Sequence, residues 1–231
     1  MKGRIHSIQT MGAVDGPGIR AVVFLQGCPL RCAYCHNPDT WDLKGGDEAS
    51  PEEIAGKILR LKNFYVKGGV TVSGGEPLLQ GAFVHEFFQI MRNNGLHTAL
   101  DTSGIGTDEN IALALENTDL VLCDLKFPTE AQYKAHTGGS FNQVLSFLEK
   151  AEQKNIPLWI RHVVVPGLTD SEENIQRIAE ISKSYKNLQK IELLPFKKIC
   201  VTKYENLRIP FPLIDTQQCS KERIEYLNTL L

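Results

Sequence analysis

The sequence predicts an α/β fold built as an open partial (βα)6 barrel of the TIM type, with a parallel sheet inside and helices outside. Short β-branched runs alternate with helical apolar patterns along almost the whole chain, and this alternation is typical of repeated βα units. Only six such strands can be read, too few for a closed barrel of eight. A gap in the barrel wall suits a macromolecular substrate, because it can admit a peptide segment.

The predicted elements follow one another in a regular order. Strands are predicted near residues 19–26, 70–73, 98–101, 120–124, 158–165 and 190–195. One helix start is explicit, because Ser50, Pro51 and Glu53 combine an N-cap, a proline at the first helical position and the glutamate of a capping box. Apolar residues at helical spacing are expected to face the core; they are Ile54, Ile58 and Leu61; Phe83, Phe87, Ile90 and Met91; Val144, Phe147, Leu148 and Ala151; and Ile175, Ile178, Ala179 and Ser182.

Composition agrees with a single globular enzyme domain over residues 1–231. Hydrophobic residues make up 42% of the chain, and 25 basic residues stand against 27 acidic ones, for a net charge of −2. This balance gives no electrostatic reason to expect nucleic acid or an anionic membrane as a partner. The sequence shows no signal peptide and no apolar run of membrane-spanning length, so we expect a cytoplasmic monomer with reduced thiols.

Three cysteines, Cys28, Cys32 and Cys35, are spaced as CxxxCxxC. Three thiolates can hold a 4Fe-4S cluster and leave one iron open to another ligand. A structural zinc site that adds His36 is an alternative, but adjacent Cys35 and His36 could not easily reach one metal together. The other three cysteines are scattered and are not expected to be ligands: Cys123, Cys200 and Cys219.

Polar residues and glycines follow the predicted strands repeatedly. In parallel α/β folds the carboxyl ends of the strands meet at one face, where reactive residues collect. Asp124 and Lys126 are two residues apart, so they point to the same side and could bind one ligand or each other. Four strand ends carry such residues: Gly74, Gly75 and Glu76; Asp101 and Thr102; Asp124, Leu125 and Lys126; and Lys197.

Several segments resemble the radical S-adenosylmethionine (SAM) superfamily and, more narrowly, the glycyl radical enzyme activating enzymes of the pyruvate formate-lyase activase type. The cysteine motif marks the superfamily, whereas residues 14–20 (VDGPGIR) and 34–41 (YCHNPDTW) are far more specific. The match continues through 73–77 (SGGEP), 101–104 (DTSG), 124–126 (DLK), 159–167 and 191–196. The resemblance implies an open partial barrel, one 4Fe-4S cluster and SAM as cofactor.

The resemblance also implies roles for individual residues. SAM contacts are expected from Tyr34, Cys35 and His36; from Gly74, Gly75 and Glu76; and from Asp124, Leu125 and Lys126. A monovalent cation site would use Asp101, Thr102 and Asp124, and Asp15 would touch the entering peptide. A further SAM contact is expected from Lys197, which stands where histidine is common in the family.

Arg161 lies inside an apolar strand, where an unpaired charge would be costly. Its expected partner is either the methionine carboxylate of SAM or a structural carboxylate such as Glu192.

The implied activity is reductive cleavage of SAM and formation of a glycyl radical on a partner enzyme. No cysteine lies between Cys35 and Cys123, so a second cluster region is not expected, which favours pyruvate formate-lyase as the partner. A flavodoxin or ferredoxin type protein would supply the electron. The alternatives are another radical SAM enzyme, such as a different activase or a deazaguanine synthase, and a non-catalytic metal-binding module.

Overall fold

A computed structural model describes all 231 residues and shows an eight-stranded sheet whose two edges do not meet. The strands are β1 (Gly3–Gly12), β2 (Arg20–Leu25), β3 (Asp47–Ala49), β4 (Gly69–Gly74), β5 (Thr98–Thr102), β6 (Leu120–Asp124), β7 (Leu158–Val164) and β8 (Leu188–Pro195). The helices are α1 (Pro51–Leu59), α2 (Lys62–Tyr65), α3 (Gly81–Asn93), α4 (Asp108–Glu116), α5 (Glu130–Thr137), α6 (Phe141–Gln153), α7 (Glu172–Lys183), α8 (Val201–Leu207) and α9 (Lys221–Asn228).

The strand order is β3-β1-β2-β4-β5-β6-β7-β8. The six predicted strands are confirmed and pair in parallel from β2 to β8. Two further strands, β1 and β3, extend one edge in antiparallel pairing and were not predicted. Residues 7–11 of β1 are mostly exposed and β3 has only three residues, so neither shows the apolar pattern of a buried strand.

The helices follow the predicted apolar faces with one exception. The capping box of α1 is present, because Ser50 N–H donates to Glu53 Oε2 at 2.7 Å and Glu53 N–H donates to Ser50 Oγ at 3.2 Å. Leu61 was wrongly predicted as core: α1 ends at Leu59, and Leu61 is 37% exposed. None of the nine helices is both long and apolar enough to cross a membrane.

The two faces of the sheet carry different residues because side chains alternate along each strand. Outward residues such as Leu100 and Ile160 join the helices in one cluster of 49 buried residues. Inward residues of β5, β6 and β7 form a small separate cluster: Ala99, Leu120, Leu122 and Trp159. Nearer the carboxyl ends of these strands, the same inward face presents charged side chains, which defines the region described next.

Candidate active site

The three motif cysteines lie on the loop that follows β2, at the carboxyl end of the parallel strands. All three are free thiols; Cys32 is buried, whereas Cys28 and Cys35 are half-buried. Burial raises the pKa of Cys28 to about 12 and that of Cys32 to about 11, and it also raises the pKa of Cys35. The thiols are therefore protonated at neutral pH in the metal-free protein, and binding to iron must release protons.

The cysteine loop is fixed on one side by the C-terminal end of α5. Arg31 N–H donates to Thr137 O at 2.8 Å, and Ala33 N–H donates to His136 O at 2.9 Å. No three His, Cys, Asp or Glu side chains converge to hold a single metal ion. The ligands of a cubane cluster need not converge on one ion, because each thiolate binds a different iron.

The other side of the loop is held by α8, in a stretch for which the sequence predicted no role. Tyr204 donates its hydroxyl to Cys35 O at 3.2 Å. The Lys203 ammonium donates to Asn37 Oδ1 at 2.8 Å and to Asp39 Oδ1 at 3.0 Å. More than 160 residues separate these partners in sequence, so no local signal could have revealed the contacts.

Tyr34 and His36, predicted to border the adenine of SAM, directly precede and follow Cys35 in the sequence. Tyr34 is buried, its ring centroid is 6.1 Å from that of Phe127, and its hydroxyl is 3.4 Å from Lys126 O. His36 is half-buried, with Nε2 2.9 Å from Lys197 O. His36 thus contacts the backbone carbonyl of Lys197, and Lys197 is exposed to solvent.

The glycines after β4 allow the turn to touch the start of the cysteine loop. Gly74 has φ +114°, a conformation that favours glycine. A Cβ on Gly75 would lie 2.1 Å from Gly27 O, and Glu76 N–H donates to that same carbonyl at 2.8 Å. Any side chain at Gly75 would therefore displace the loop that carries the cysteines.

The Glu76 carboxylate is fully buried and turned into the protein. One oxygen accepts from Leu78 N–H at 3.0 Å and from the Thr102 hydroxyl. The other accepts from Ser103 N–H at 2.9 Å and from the Ser103 hydroxyl. Both oxygens are thus occupied by protein donors, so the carboxylate holds the β4 and β5 loops together.

A cluster of opposite charges lies on the inward face where β5, β6 and β7 meet. Arg161 Nη1 is 3.3 Å from Asp101 Oδ1, and Arg161 Nε is 3.6 Å from Asp124 Oδ1. Lys126 Nζ lies 3.0 Å from Asp124 Oδ2. Structural carboxylates thus surround Arg161, as one of the two expected alternatives required; Glu192 itself pairs with Lys190 at 2.6 Å and acts on Arg161 only through its charge.

Burial and charge act on this cluster in opposite directions. Burial raises the pKa of Asp101, whereas the charges of Lys126 and Arg161 outweigh burial and lower the pKa of Asp124. The Asp101 charge raises the pKa of Arg161. Three buried atoms of the cluster still make no hydrogen bond: Asp124 Oδ1, Arg161 Nε and Arg161 Nη1.

Leu125 lies behind this cluster and is held entirely by protein groups. The residue is buried, its N–H donates to Arg161 O at 2.9 Å, and its carbonyl lies 2.7 Å from His162 Nδ1. Asn174 Nδ2 is 3.1 Å from His162 Nε2. This arrangement requires a neutral imidazole, and burial lowers the pKa of His162 accordingly. His162 therefore positions the strand end that bears Asp124.

Asp15 lies on the loop before β2, the first strand that the sequence predicted, and the unpredicted β1 precedes this loop. It is half-buried and close enough to Arg161 for the two charges to interact. Burial raises the pKa of Asp15, against the opposing effect of Arg161 and Arg20. The structure therefore brings the predicted peptide contact toward the charged cluster.

Comparison with known proteins identifies the family. The model of the radical SAM superfamily matches residues 22–179. The chain is 48% identical over 231 residues to the pyruvate formate-lyase-activating enzyme of Clostridium pasteurianum, covering 99% of this chain and 97% of the relative. This chain belongs to the radical SAM superfamily, in the family of pyruvate formate-lyase-activating enzymes.

Other comparisons agree with this membership. Pyruvate formate-lyase 1-activating enzyme of Escherichia coli K12 is 40% identical to this radical SAM protein over 233 residues, covering 99% of this chain and 95% of the relative. A solved domain of pyruvate-formate lyase-activating enzyme from Bacteroides vulgatus aligns with a TM-score of 0.57 and 25% identity, covering 71% of this chain and 92% of that one. Radical SAM proteins use a 4Fe-4S cluster and SAM, and the three free thiols of the motif are present in this chain.

Proposed function

We propose that this chain activates pyruvate formate-lyase by generating a glycyl radical through reductive cleavage of SAM. The observation that supports this most is that a loop with three free thiols and a charged cluster with unsatisfied polar atoms lie at the same end of an open barrel. The names of its relatives support the choice of partner. We also propose that residues 1–231 act as a single cytoplasmic domain and as a monomer.

The donor set fits the cofactors of the family. Cys28, Cys32 and Cys35 would hold three irons, and bound cluster and SAM would together supply the 5′-deoxyadenosyl radical that removes a glycine hydrogen. The protein's own contribution is to orient the ligands and keep water away. The buried ring of Tyr34 serves the second task, because it closes the apolar wall of the loop.

The charged cluster is where we place the polar end of SAM. Arg161 Nε, Arg161 Nη1 and Asp124 Oδ1 make no hydrogen bond, although each lies 3.3–3.6 Å from an opposite charge. A carboxylate and an ammonium group of one ligand could supply the missing hydrogen bonds. Lys126 would hold Asp124 in position through their 3.0 Å contact. Gly74 and Gly75 would contribute backbone, whereas the Glu76 carboxylate is already occupied.

The adenine side is assigned to the cysteine loop and the segment after β8. We propose contacts from Tyr34, Cys35, His36 and Lys197, with Leu125 contributing only through its position behind the cluster. The 2.9 Å approach of His36 Nε2 to Lys197 O supports this, because it joins the two segments that would flank the base.

We place a monovalent cation site at Asp101, Thr102 and Asp124, with Thr102 contributing backbone because its hydroxyl already donates to Glu76 and accepts from Gly104 N–H. Together with Asp15 there are three carboxylates around two cations, Arg161 and Lys126. When all five groups are ionised, one negative charge is in excess. A sulfonium ligand or a monovalent ion with oxygen ligands could balance it.

The electron donor that we propose is a flavodoxin or ferredoxin type protein. Arg31 is exposed on the cysteine loop, with its guanidinium carbon 4.9 Å from the Trp41 ring centroid. An exposed cation beside the thiols would favour approach of an acidic carrier.

The function is tested by anaerobic reconstitution with iron and sulfide. We expect a 4Fe-4S chromophore, reductive cleavage of SAM, and a glycyl doublet in the electron paramagnetic resonance spectrum when pyruvate formate-lyase is added. Cys32→Ala should abolish cleavage and doublet, whereas the matched variant Cys219→Ala should retain both. Cleavage without a doublet would reject pyruvate formate-lyase as the partner, and a colourless zinc protein would reject the enzyme.

A further inference from the structure

A stretch of the chain with basic but no acidic residues, residues 54–75, runs from α1 through α2 into β4. No Asp or Glu occurs between Glu53 and Glu76. The same stretch carries four cations: Lys57, Arg60 and Lys67, which are exposed, and Lys62, which is half-buried. None of the four forms an ion pair within the chain.

Large apolar side chains are exposed among these cations. Phe64 is 61% exposed and Val66 is 66% exposed, while Tyr65 between them is buried. The Tyr65 hydroxyl donates to Thr10 O at 2.8 Å, which places α2 against the end of β1. Exposed apolar groups that cluster in this way mark interaction sites, unlike the single ones common on any surface.

The end of β1 and the following loop add further apolar groups to the same surface. Met11 is 56% exposed, Val14 is 78% exposed and Ile19 is 38% exposed. A Cβ on Gly68 would lie only 1.9 Å from Ile19 O, so the loop and the segment after α2 are in direct contact. Met11, Val14, Ile19, Phe64 and Val66, with the four cations, are called the basic apolar surface below.

This surface is continuous with the interior of the barrel through one buried arginine. Arg20 is fully buried; its Nε donates to Thr71 Oγ1 at 2.7 Å and its Nη1 donates to Pro17 O at 3.1 Å. Thr71 Oγ1 in turn donates to Asp15 O at 2.6 Å. The loop is therefore fixed with Val14 exposed and with Asp15 half-buried against Thr71.

We propose that the basic apolar surface docks the protein substrate, through a partner surface with an acidic rim and an apolar centre. This rests on the proposed function. Residues 54–75 contain basic but no acidic residues, so a complementary partner surface would be acidic. Val14 of the surface is next to Asp15 in sequence, so a partner bound here would lie beside the predicted peptide contact. The electron donor is a poorer occupant, because the loop with the predicted peptide contact Asp15 precedes β2, whereas the cysteine loop follows its other end, about 20 Å away. A substrate segment of about six extended residues would carry the target glycine across that distance.

The test is the double reversal Arg60→Glu with Lys67→Glu in the reconstituted holoenzyme. The matched control reverses Lys154 and Lys186, two exposed lysines elsewhere on the surface. Glycyl radical formation would be recorded with dithionite as reductant, once on intact pyruvate formate-lyase and once on a short peptide containing the target glycine. We expect the variant to lose about tenfold in rate on the intact protein at low salt, with less loss at high salt and none on the peptide.

The apolar centre is tested separately by Phe64→Ser with Val66→Ser, against Ile214→Ser, which alters a side chain that is 49% exposed outside the surface. We expect the double variant alone to weaken binding to intact pyruvate formate-lyase. Unchanged rates and binding in both double variants, with active wild type, would overturn the docking surface and leave the function intact. A loss seen only with a flavodoxin donor would assign the surface to that donor and overturn the proposal, whereas an inactive wild type would refute the function itself.

Discussion

Replacing Glu76 by glutamine tests whether its carboxylate contacts SAM or instead stabilises the protein by holding the β4 and β5 loops together. Glutamine keeps one carbonyl oxygen but places an NH2 group where the second oxygen accepts from Ser103 N–H at 2.9 Å. A hydrogen bond to a charged group contributes about 1.5–3 kcal/mol, and an unsatisfied buried donor costs about 1–3 kcal/mol. Removal of a buried charge offsets part of this, so we expect Glu76→Gln to lower the free energy of unfolding by about 2–4 kcal/mol.

The assay is thermal and urea unfolding of the metal-free protein under reducing, anaerobic conditions. For a chain of this length each kcal/mol shifts Tm by about 2–4 °C, so Tm should fall by about 5–15 °C. Glu48→Gln is the matched control, because its side chain is 53% exposed and pairs only with Arg4, and it should shift Tm little. A Glu76→Gln protein with the stability of wild type and a raised KM for SAM would refute the internal role.

Three further variants test the supports of the site. His162 must be neutral in the folded protein, so the free energy of unfolding of wild type should fall as the pH drops below about 6.5, where the unfolded chain takes up the proton. In urea unfolding between pH 5 and 7, the His162→Gln variant should show a smaller fall. Lys203→Ala removes the contacts to Asn37 and Asp39; we expect faster thiol alkylation in the metal-free protein and lower iron content after reconstitution. Arg161→Lys loses the planar group that meets two carboxylates, so SAM affinity should fall about tenfold.

Each of these expectations has a distinct failure. A His162→Gln protein with the pH slope of wild type would show that another group titrates. For Lys203→Ala the control is Lys221→Ala, whose side chain is 84% exposed. Equal alkylation rates in the two variants would show that Lys203 does not stabilise the cysteine loop. An unchanged KM for SAM in Arg161→Lys would place the methionine carboxylate elsewhere.

The parts of the fold that the sequence predicted are those encoded locally. The six parallel strands carry β-branched runs, and the α1 start carries its own capping residues, so both can be read from a few neighbouring positions. β1 and β3 were missed because residues 7–11 of β1 are mostly exposed and β3 has only three residues, so neither carries the apolar pattern of a buried strand. Leu61 was misplaced because helical spacing does not show where a helix ends.

The site residues also fall into those that local sequence predicts and those that only the fold brings together. The thiols are adjacent in sequence and were predicted, whereas Lys203 and Tyr204 reach the cysteine loop across more than 160 residues. The sequence showed that Arg161 needed a partner but not which one, because Asp101 and Asp124 become its neighbours only through the pairing of β5, β6 and β7. Complete burial of Glu76 is likewise a property of the fold.

Asp15 is the point at which binding of SAM and docking of the partner would affect one another. Its pKa depends on burial and on Arg161, and we place the SAM carboxylate on that same arginine. A second carboxylate near the guanidinium would compete with Asp15 and weaken its hold on the loop that begins at the basic apolar surface. SAM would then be expected to change the affinity for pyruvate formate-lyase, and linkage requires the partner to change SAM affinity by the same factor. Equal SAM affinities with and without the partner would show that the two sites are independent.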